Sequence, residues 1–277
     1  MRTKTRLTIT LSQELVEKID SLIDGQAVKN RSHAIETVVQ ESLAPSVKTA
    51  VILLGGKHGG AAALQKIDGN YLLTHTLNIL KKHHLTRVII CLNKSNHKIK
   101  QLFGNGEQLG LQIDYSYEEK PLGTGGAVKN IKKILNEKPF LVVHGDILTT
   151  LDFSNLFEFH FNEGSLATMA VKPRMGEPKY GQVFLQGNKI IKFLDTSNDS
   201  GISIINTGVY VFDAKIFDLF PTKNYFTLEK DVFPYLAEKK QLSASFFQGI
   251  WYDISEEKDY QEAKDRWQTI TKKIIKK

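Results

Sequence analysis

Cysteine occurs once in the 277 residues, at Cys91. That single thiol excludes an intramolecular disulfide framework and any zinc site built on cysteines. Apolar runs fall short of the roughly 18 residues that a membrane span needs. The N-terminal Met-Arg-Thr-Lys-Thr-Arg-Leu-Thr-Ile alternates where a signal peptide would carry an apolar block. Nor is there the imbalance of a disordered chain, since hydrophobic residues make up 41% and charged residues 24%. The length fits one large α/β domain with room for a small module. A cytoplasmic protein with no membrane partner is the expectation.

The charge is +7, from 37 Lys plus Arg against 30 Asp plus Glu, and its placement matters more than its size. Residues 1–44 hold six basic side chains (Arg2, Lys4, Arg6, Lys18, Lys29, Arg31) and six acidic ones. The excess therefore lies in residues 45–277, part of it in the tail Lys272, Lys273, Lys276 and Lys277, which reads as a solvated helix end.

Residues 1–44 have their own pattern. From Thr5 to Leu11 apolar Leu7, Ile9 and Leu11 alternate with Arg6, Thr8 and Thr10, which predicts a half-buried strand. Ser12 is a candidate N-cap for a helix carrying Leu15, Val16, Ile19, Leu22 and Ile23 up to Gly25. Ser32 is the candidate cap of a second helix, with Ile35, Val38, Val39 and Leu43 on its apolar side. One strand and two helices bury too little to fold alone, and a lone strand leaves its ladder hydrogen bonds unmade. Two copies pairing their strands would cure both defects.

This stretch resembles the ribbon-helix-helix family of DNA-binding proteins, through Arg6-Leu7-Thr8-Ile9-Thr10-Leu11 and Asn30-Arg31-Ser32-His33-Ala34-Ile35. The resemblance implies a homodimer whose two-stranded ribbon enters the major groove of a double-stranded DNA operator. Arg6, Thr8 and Thr10 would then read bases, Arg2 and Lys4 would add charge on the arm, and the Ser32 helix start would hold a phosphate. A dimerisation module that never touches DNA is the competing reading. Residues 45–47, around Pro45, are the expected linker.

From residue 48 to 277 strands alternate with helices. Ala50–Leu54 is an apolar run ending in Gly55-Gly56, as a buried parallel strand does. Arg87–Leu92, Leu111–Tyr117, Phe140–His144, Ser165–Val171 and Ile204–Phe212 are further strands. Tyr71–Lys82, Gly125–Leu135, Phe153–Phe161, Phe226–Lys239 and Ser255–Ile275 are helical, and Gly181–Leu194 is a hairpin turning at Gly187-Asn188. The expected fold is α/β, a Rossmann-like and mainly parallel sheet covered on both faces, with ligands at the carboxyl ends of its strands.

Three loops could carry chemistry. Gly55-Gly56-Lys57-His58-Gly59-Gly60 lacks the spacing and ending of a P-loop, which excludes a Walker-type ATPase. Leu122-Gly123-Thr124-Gly125-Gly126 opens a helix with Lys129 one turn in, where glycines would let backbone N–H groups approach a phosphate or base. His144-Gly145-Asp146 ends an apolar strand in a carboxylate suited to Mg²⁺, or to capping the next helix. His83 and His84 at a helix end are explained by the helix dipole, and Phe246, Phe247 and Trp251 by core packing.

Together these loops resemble the sugar-1-phosphate nucleotidyltransferases. The matching stretches include Pro121–Ala127, Val143–Leu148, Tyr180–Val183, Ile205–Phe212, Leu228–Pro234 and Trp251–Ile254, across nearly all of residues 48–262. The resemblance implies Mg²⁺-dependent attack of a sugar-1-phosphate on the α-phosphate of a nucleoside triphosphate. It assigns metal binding to Asp146 and Asp253, and nucleotide contact to Gly55, Gly56 and Gly123, with Lys57 and Thr124 beside them. It assigns sugar-phosphate contact to Gly181, Asp195 and Asn206, Asp195 replacing the usual Glu. The chain departs from the family in its first loop. No Arg follows the glycines, the family's Lys falls on Ala62, and a later sugar-site Lys is Thr196. Lys57 and Lys129 are the candidate substitutes. Losing such a charge-stabilising group costs about a hundredfold in rate.

On the sequence, the expected function is a DNA-binding transcription regulator whose second domain binds a nucleotide, sugar phosphate or nucleotide sugar as effector. The alternative is an active nucleotidyltransferase making an NDP-sugar, its first module serving dimerisation or autoregulation.

Overall fold

A computed structural model describes residues 8–26, 28–43, 46–56, 59–135, 138–175, 180–195 and 201–275. The chain divides into two compact units, residues 1–46 and 47–277.

In the first unit α1 spans Gln13–Asp20 and α2 spans Arg31–Leu43. Ser12 caps α1, its side chain accepting the Leu15 N–H. The second helix begins two residues earlier than its sequence suggests. Asn30 caps it, its side chain accepting the His33 N–H at 3.0 Å and its carbonyl the Ala34 N–H at 2.9 Å. Ser32 is therefore an exposed residue of the first turn, not the cap. Arg31 is held by a two-point ion pair to Asp20 across the two helices. Arg2, Lys4, Arg6 and most of the expected strand lie outside the described residues, while Thr8 and Thr10 are exposed and in no strand.

The second unit is built on β1 (Thr49–Leu53), β2 (Lys66–Ile67), β3 (Asn70–Tyr71), β4 (Arg87–Asn93), β5 (Gln112–Glu118), β6 (Phe140–His144) and β7 (Ile147–Thr149). It continues with β8 (Ala167–Met175), β9 (Gln182–Gln186), β10 (Lys189–Leu194), β11 (Ile202–Phe212), β12 (Leu242–Phe246) and β13 (Trp251–Asp253). Its helices are α3 (Gly59–Ala62), α4 (Leu72–Lys82), α5 (His97–Phe103), α6 (Gly123–Asn130), α7 (Phe153–Glu163), α8 (Phe233–Glu238) and α9 (Glu257–Ile275).

The main sheet has the order β5-β4-β1-β6-β11-β8-β12-β10-β9. Its first four strands are parallel, but β11 runs antiparallel to both β6 and β8, and β9–β10 is an antiparallel hairpin. The sheet is thus mixed rather than mainly parallel. The apolar runs of β1, β4 and β6 follow from burial of both faces. Val51, Ile89 and Val142 join one core with α6 and α8, while Ala50, Ile52, Val88 and Ile90 join the other with α4 and α7.

A third apolar cluster fixes what matters for function. Leu148 of β7, Tyr252 and Ile254 around β13, and Ala263 and Trp267 of α9 pack together with Ile67 and Leu72. This cluster holds the antiparallel β7–β13 ribbon, in which Asp253 stands opposite Ile147. The expected helix over Phe226–Lys239 starts instead at Leu228, in a π-turn over Leu228–Val232 that leads into α8; the Thr227 hydroxyl caps it by accepting the Lys230 N–H, and the Thr124 hydroxyl accepts the Leu228 N–H.

Candidate functional site

β1, β5 and β6 point their carboxyl ends to one edge of the parallel half of the sheet, with β4 between β5 and β1, and release the chain as Gly55-Gly56, Glu118 and Gly145-Asp146. Their approach is close. A Cβ on Gly145 would lie 1.9 Å from Leu54 Cδ2, and its N–H donates to the Leu53 carbonyl at 3.0 Å. A Cβ on Gly55 would lie 2.6 Å from Glu118 Oε1. Only glycine fits either place without moving its neighbour.

Asp146 and Asp253 come together across the ribbon, whose next link is the Ile254 N–H donating to the Asp146 carbonyl at 2.8 Å. Burial, and then the negative charge of Asp146, raise the Asp253 carboxyl above its ordinary value, although Ser255 donates to it from both backbone and hydroxyl. Two half-buried carboxylates near enough for the charge of one to act on the other suit a divalent cation that shares them with substrate phosphates. Among the described residues no group of three or more His, Cys, Asp and Glu side chains could hold a metal by itself. A pair completed by phosphate oxygens and water is the arrangement Mg²⁺ favours.

The second glycine loop differs from its expected use. Gly123 takes a φ of +74°, and the N–H groups of Gly125 and Gly126 both donate to the Phe226 carbonyl at 3.1 Å. Those two amides hold the fold together and are not directed at a phosphate. The Thr124 hydroxyl donates to Glu229 at 2.6 Å and accepts the Leu228 N–H at 2.9 Å, so it braces the π-turn. Lys129 is no substitute for the missing loop cations, because its Nζ is surrounded by the carbonyls of Pro221, Thr222 and Lys223. Ala62, where the family's Lys would stand, is buried in α3. Lys57, His58 and Thr196 lie outside the described residues.

The sugar-phosphate candidates form a second cluster. Gly181 accepts the Asn206 N–H through its carbonyl at 2.8 Å, beside the β9–β11 pairing. The Asn206 side chain accepts the Gly208 N–H at the point where a bulge breaks the β8–β11 register. Asp195 lies 3.5 Å from Lys230 Nζ.

Sequence reasoning missed several groups here. Glu118 is 6% exposed, accepts the Leu122 N–H at 3.1 Å, and is raised in pKa by burial against that one lowering bond. His144 Nε2 and Glu229 Oε1 approach to 3.8 Å, and both atoms are buried without a hydrogen-bond partner among the described residues. Arg174 and Asp259 lie behind Asp253. Glu118 directly follows the expected strand Leu111–Tyr117, whose mixed polar pattern gives it no mark of its own; the others sit in helices and strands whose neighbours no local pattern gives. Phe246 corrects the packing expectation, being 53% exposed, whereas Trp251 is buried.

In open α/β sheets ligands bind beyond the carboxyl ends of the strands, where the loops and the two aspartates gather here. The profile of the Nucleotidyl transferase family matches residues 61–269, and the chain belongs to that family. It is 31% identical over 193 residues to "Mannose-1-phosphate guanylyltransferase catalytic subunit beta" of Drosophila melanogaster, covering 68% of this chain and 52% of the relative. It is 32% identical over 197 residues to "Mannose-1-phosphate guanylyltransferase" of Mycobacterium tuberculosis, covering 68% and 55%. The chain thus spans about half the length of these relatives. The fold is shared with the crystal structure of HddC from Yersinia pseudotuberculosis, at a TM-score of 0.70 and 24% identity over 80% of this chain and 100% of that one. It is also shared with a putative glucose-1-phosphate thymidylyltransferase from Bacillus anthracis, at a TM-score of 0.71 and 20% identity over 78% and 94%.

These relatives overturn the reading of the chain as a DNA-binding transcription regulator. They are named as transferases, and the family match begins beyond residues 1–44. The ribbon-helix-helix resemblance, the operator DNA and the dimer built on that ribbon have no support from them. Among the described residues no helix is long and apolar enough to cross a membrane.

Proposed function

We propose that residues 47–277 transfer a nucleotidyl group from a nucleoside triphosphate to a sugar-1-phosphate, releasing pyrophosphate. The observation that carries this reading is the meeting of Asp146 and Asp253 on the β7–β13 ribbon, past the end of β6 and next to that of β1. An acceptor phosphate oxygen forms a bond to the α-phosphorus as the bond from that phosphorus to the β-phosphate bridging oxygen breaks. Asp146 and Asp253 would hold Mg²⁺ together with substrate phosphates, and the ion would supply neutralisation of the charge that builds up in this exchange. Gly55 and Gly56 give the triphosphate a backbone it can approach closely, and Gly181, Asn206 and Asp195 face the acceptor.

The donor in this reading is a guanine nucleotide, in keeping with the names of the mannose-1-phosphate guanylyltransferases above. Glu118 supports it. An ionised carboxylate only accepts hydrogen bonds, and guanine alone among the common bases presents a ring N–H beside an exocyclic amine. Hexose-1-phosphates are the acceptor class. With an apolar Ala62 in place of a cation, turnover is expected to be about a hundredfold below that of an enzyme with the complete loop. Residues 1–46 enter only as a self-association module, supported by the exposed apolar Leu15, Leu22, Val38 and Val39; a monomer by sedimentation at micromolar concentration would remove that role.

The test is pyrophosphate release from the full chain with Mg²⁺, GTP and mannose-1-phosphate, then with the other nucleoside triphosphates and a panel of sugar-1-phosphates. Release with a guanine preference, abolished by Asp146→Asn, is the expected result. No release above background from any pair would end the enzyme reading.

A further inference from the structure

Asp253 does not depend on its ribbon alone. Its backbone N–H donates to Asp259 Oδ2 at 3.0 Å, six residues on and inside the first turns of α9. Asp259 is 5% exposed, so its charge needs a partner, and the partner comes from a distant strand. Arg174 of β8 sends Nη2 to Asp259 Oδ1 at 3.0 Å and to Oδ2 at 3.2 Å, with Nη1 at 3.3 Å from Oδ2. The guanidinium is itself confined by two rings, its Cζ lying 5.0 Å from the centre of Tyr180 and 5.2 Å from that of Trp251. Those rings meet edge to face at 5.2 Å, and Trp251 Nε1 donates to the Thr207 carbonyl at 2.9 Å. Every member of the chain from Tyr180 to Asp253 therefore has a fixed neighbour.

We propose that Arg174 and Asp259 are positioning residues for metal binding: Arg174, confined by Tyr180 and Trp251, fixes Asp259, which fixes the backbone of Asp253 so that its carboxylate faces Asp146. The proposal rests on the reading of Asp146 and Asp253 as the Mg²⁺ pair. Its physical content is that a ligand carboxylate aimed by an outer partner binds metal better than one that must be ordered on binding. Loss of such partners costs about 10–100-fold in metal affinity. Lysine in place of Arg174 keeps the charge but not the planar fork or the stacking, so it restores only part of the effect.

Trp251, two residues before Asp253, supplies the readout. Tb³⁺ added alone to the full chain should give luminescence sensitised by Trp251, lost in Asp253→Asn and displaced by Mg²⁺. In Arg174→Ala and in Asp259→Asn, half-saturation by Tb³⁺ and the Mg²⁺ midpoint should rise about 10–100-fold, with Arg174→Lys in between. Pyrophosphate release should show the same rise in the Mg²⁺ requirement and recover at saturating Mg²⁺, which a general loss of fold would not do. Should Arg174→Ala unfold, Asp259→Asn and Arg174→Lys carry the test alone. Unchanged metal midpoints in these variants would overturn the clamp while leaving the metal pair in place. Tb³⁺ binding indifferent to Asp253→Asn would instead overturn the metal pair and the clamp with it.

Discussion

Asp253 is asked to be charged where charge is unfavourable, and that conflict is measurable. Burial and the neighbouring Asp146 raise its carboxyl above the ordinary 3.8. A folded-state pKa above the unfolded one favours folding only while the group is protonated, so ionisation costs stability at neutral pH and the cost fades as pH falls towards the unfolded value. Asp253→Asn should therefore melt about 2 °C higher than the parent at pH 7, with the gain shrinking towards pH 4, while pyrophosphate release falls about a hundredfold or more. Calorimetry at the two pH values and the release assay check both halves. Glu118 gives a second residue-scale prediction. Glu118→Gln exchanges an acceptor-only group for one that both donates and accepts, so the preference for GTP over UTP should narrow about tenfold, read as the ratio of kcat/KM values.

Among the elements, the strand ends leave the least freedom. Gly145→Ala puts a methyl group 1.9 Å from Leu54 Cδ2 and should cost about 1–3 kcal/mol in a denaturant titration, with loss of activity because Asp146 follows directly. The apolar runs of β1, β4 and β6 and the Gly187-Asn188 hairpin turn were legible in the sequence, since period and turn chemistry are local. The antiparallel entry of β11 was not, because strand direction is set by connections and packing that no local pattern records. Nor was the fate of the second glycine loop. Gly123 to Gly126 look made for a ligand, but Phe226, a hundred residues on, supplies the carbonyl that takes two of their amides. Thr124 and Lys129 were misread for the same reason, as their partners at 221–229 arrive from another part of the chain. Asp146 was readable as a carboxylate at a strand end, whereas its partner Asp253 could be named only through the family resemblance.

At the scale of the whole molecule the two units carry separate patterns. The family match, the paired aspartates and the apolar clusters described above fall within residues 47–277. Removing residues 1–46 should leave kcat/KM for pyrophosphate release within about a factor of two and leave far-UV circular dichroism with the α/β signature. A loss beyond tenfold would show that the first unit contributes to the transferase itself. The +7 charge also fits the proposed function, since its excess belongs to the unit proposed to bind phosphate-bearing ligands.

The β7–β13 ribbon has a consequence for how the protein is made. The Thr150 side chain accepts the Ile250 N–H across a separation of 100 residues, and the two aspartates are joined over a span of similar length. Contacts so distant in sequence form late and slowly. During synthesis the ends of β1, β5 and β6 emerge first, and Asp253 leaves the ribosome only after β8 to β12 have been made. A nascent or prematurely ended chain thus holds half of the proposed metal pair, and it gains the other half only when β13 pairs with β7.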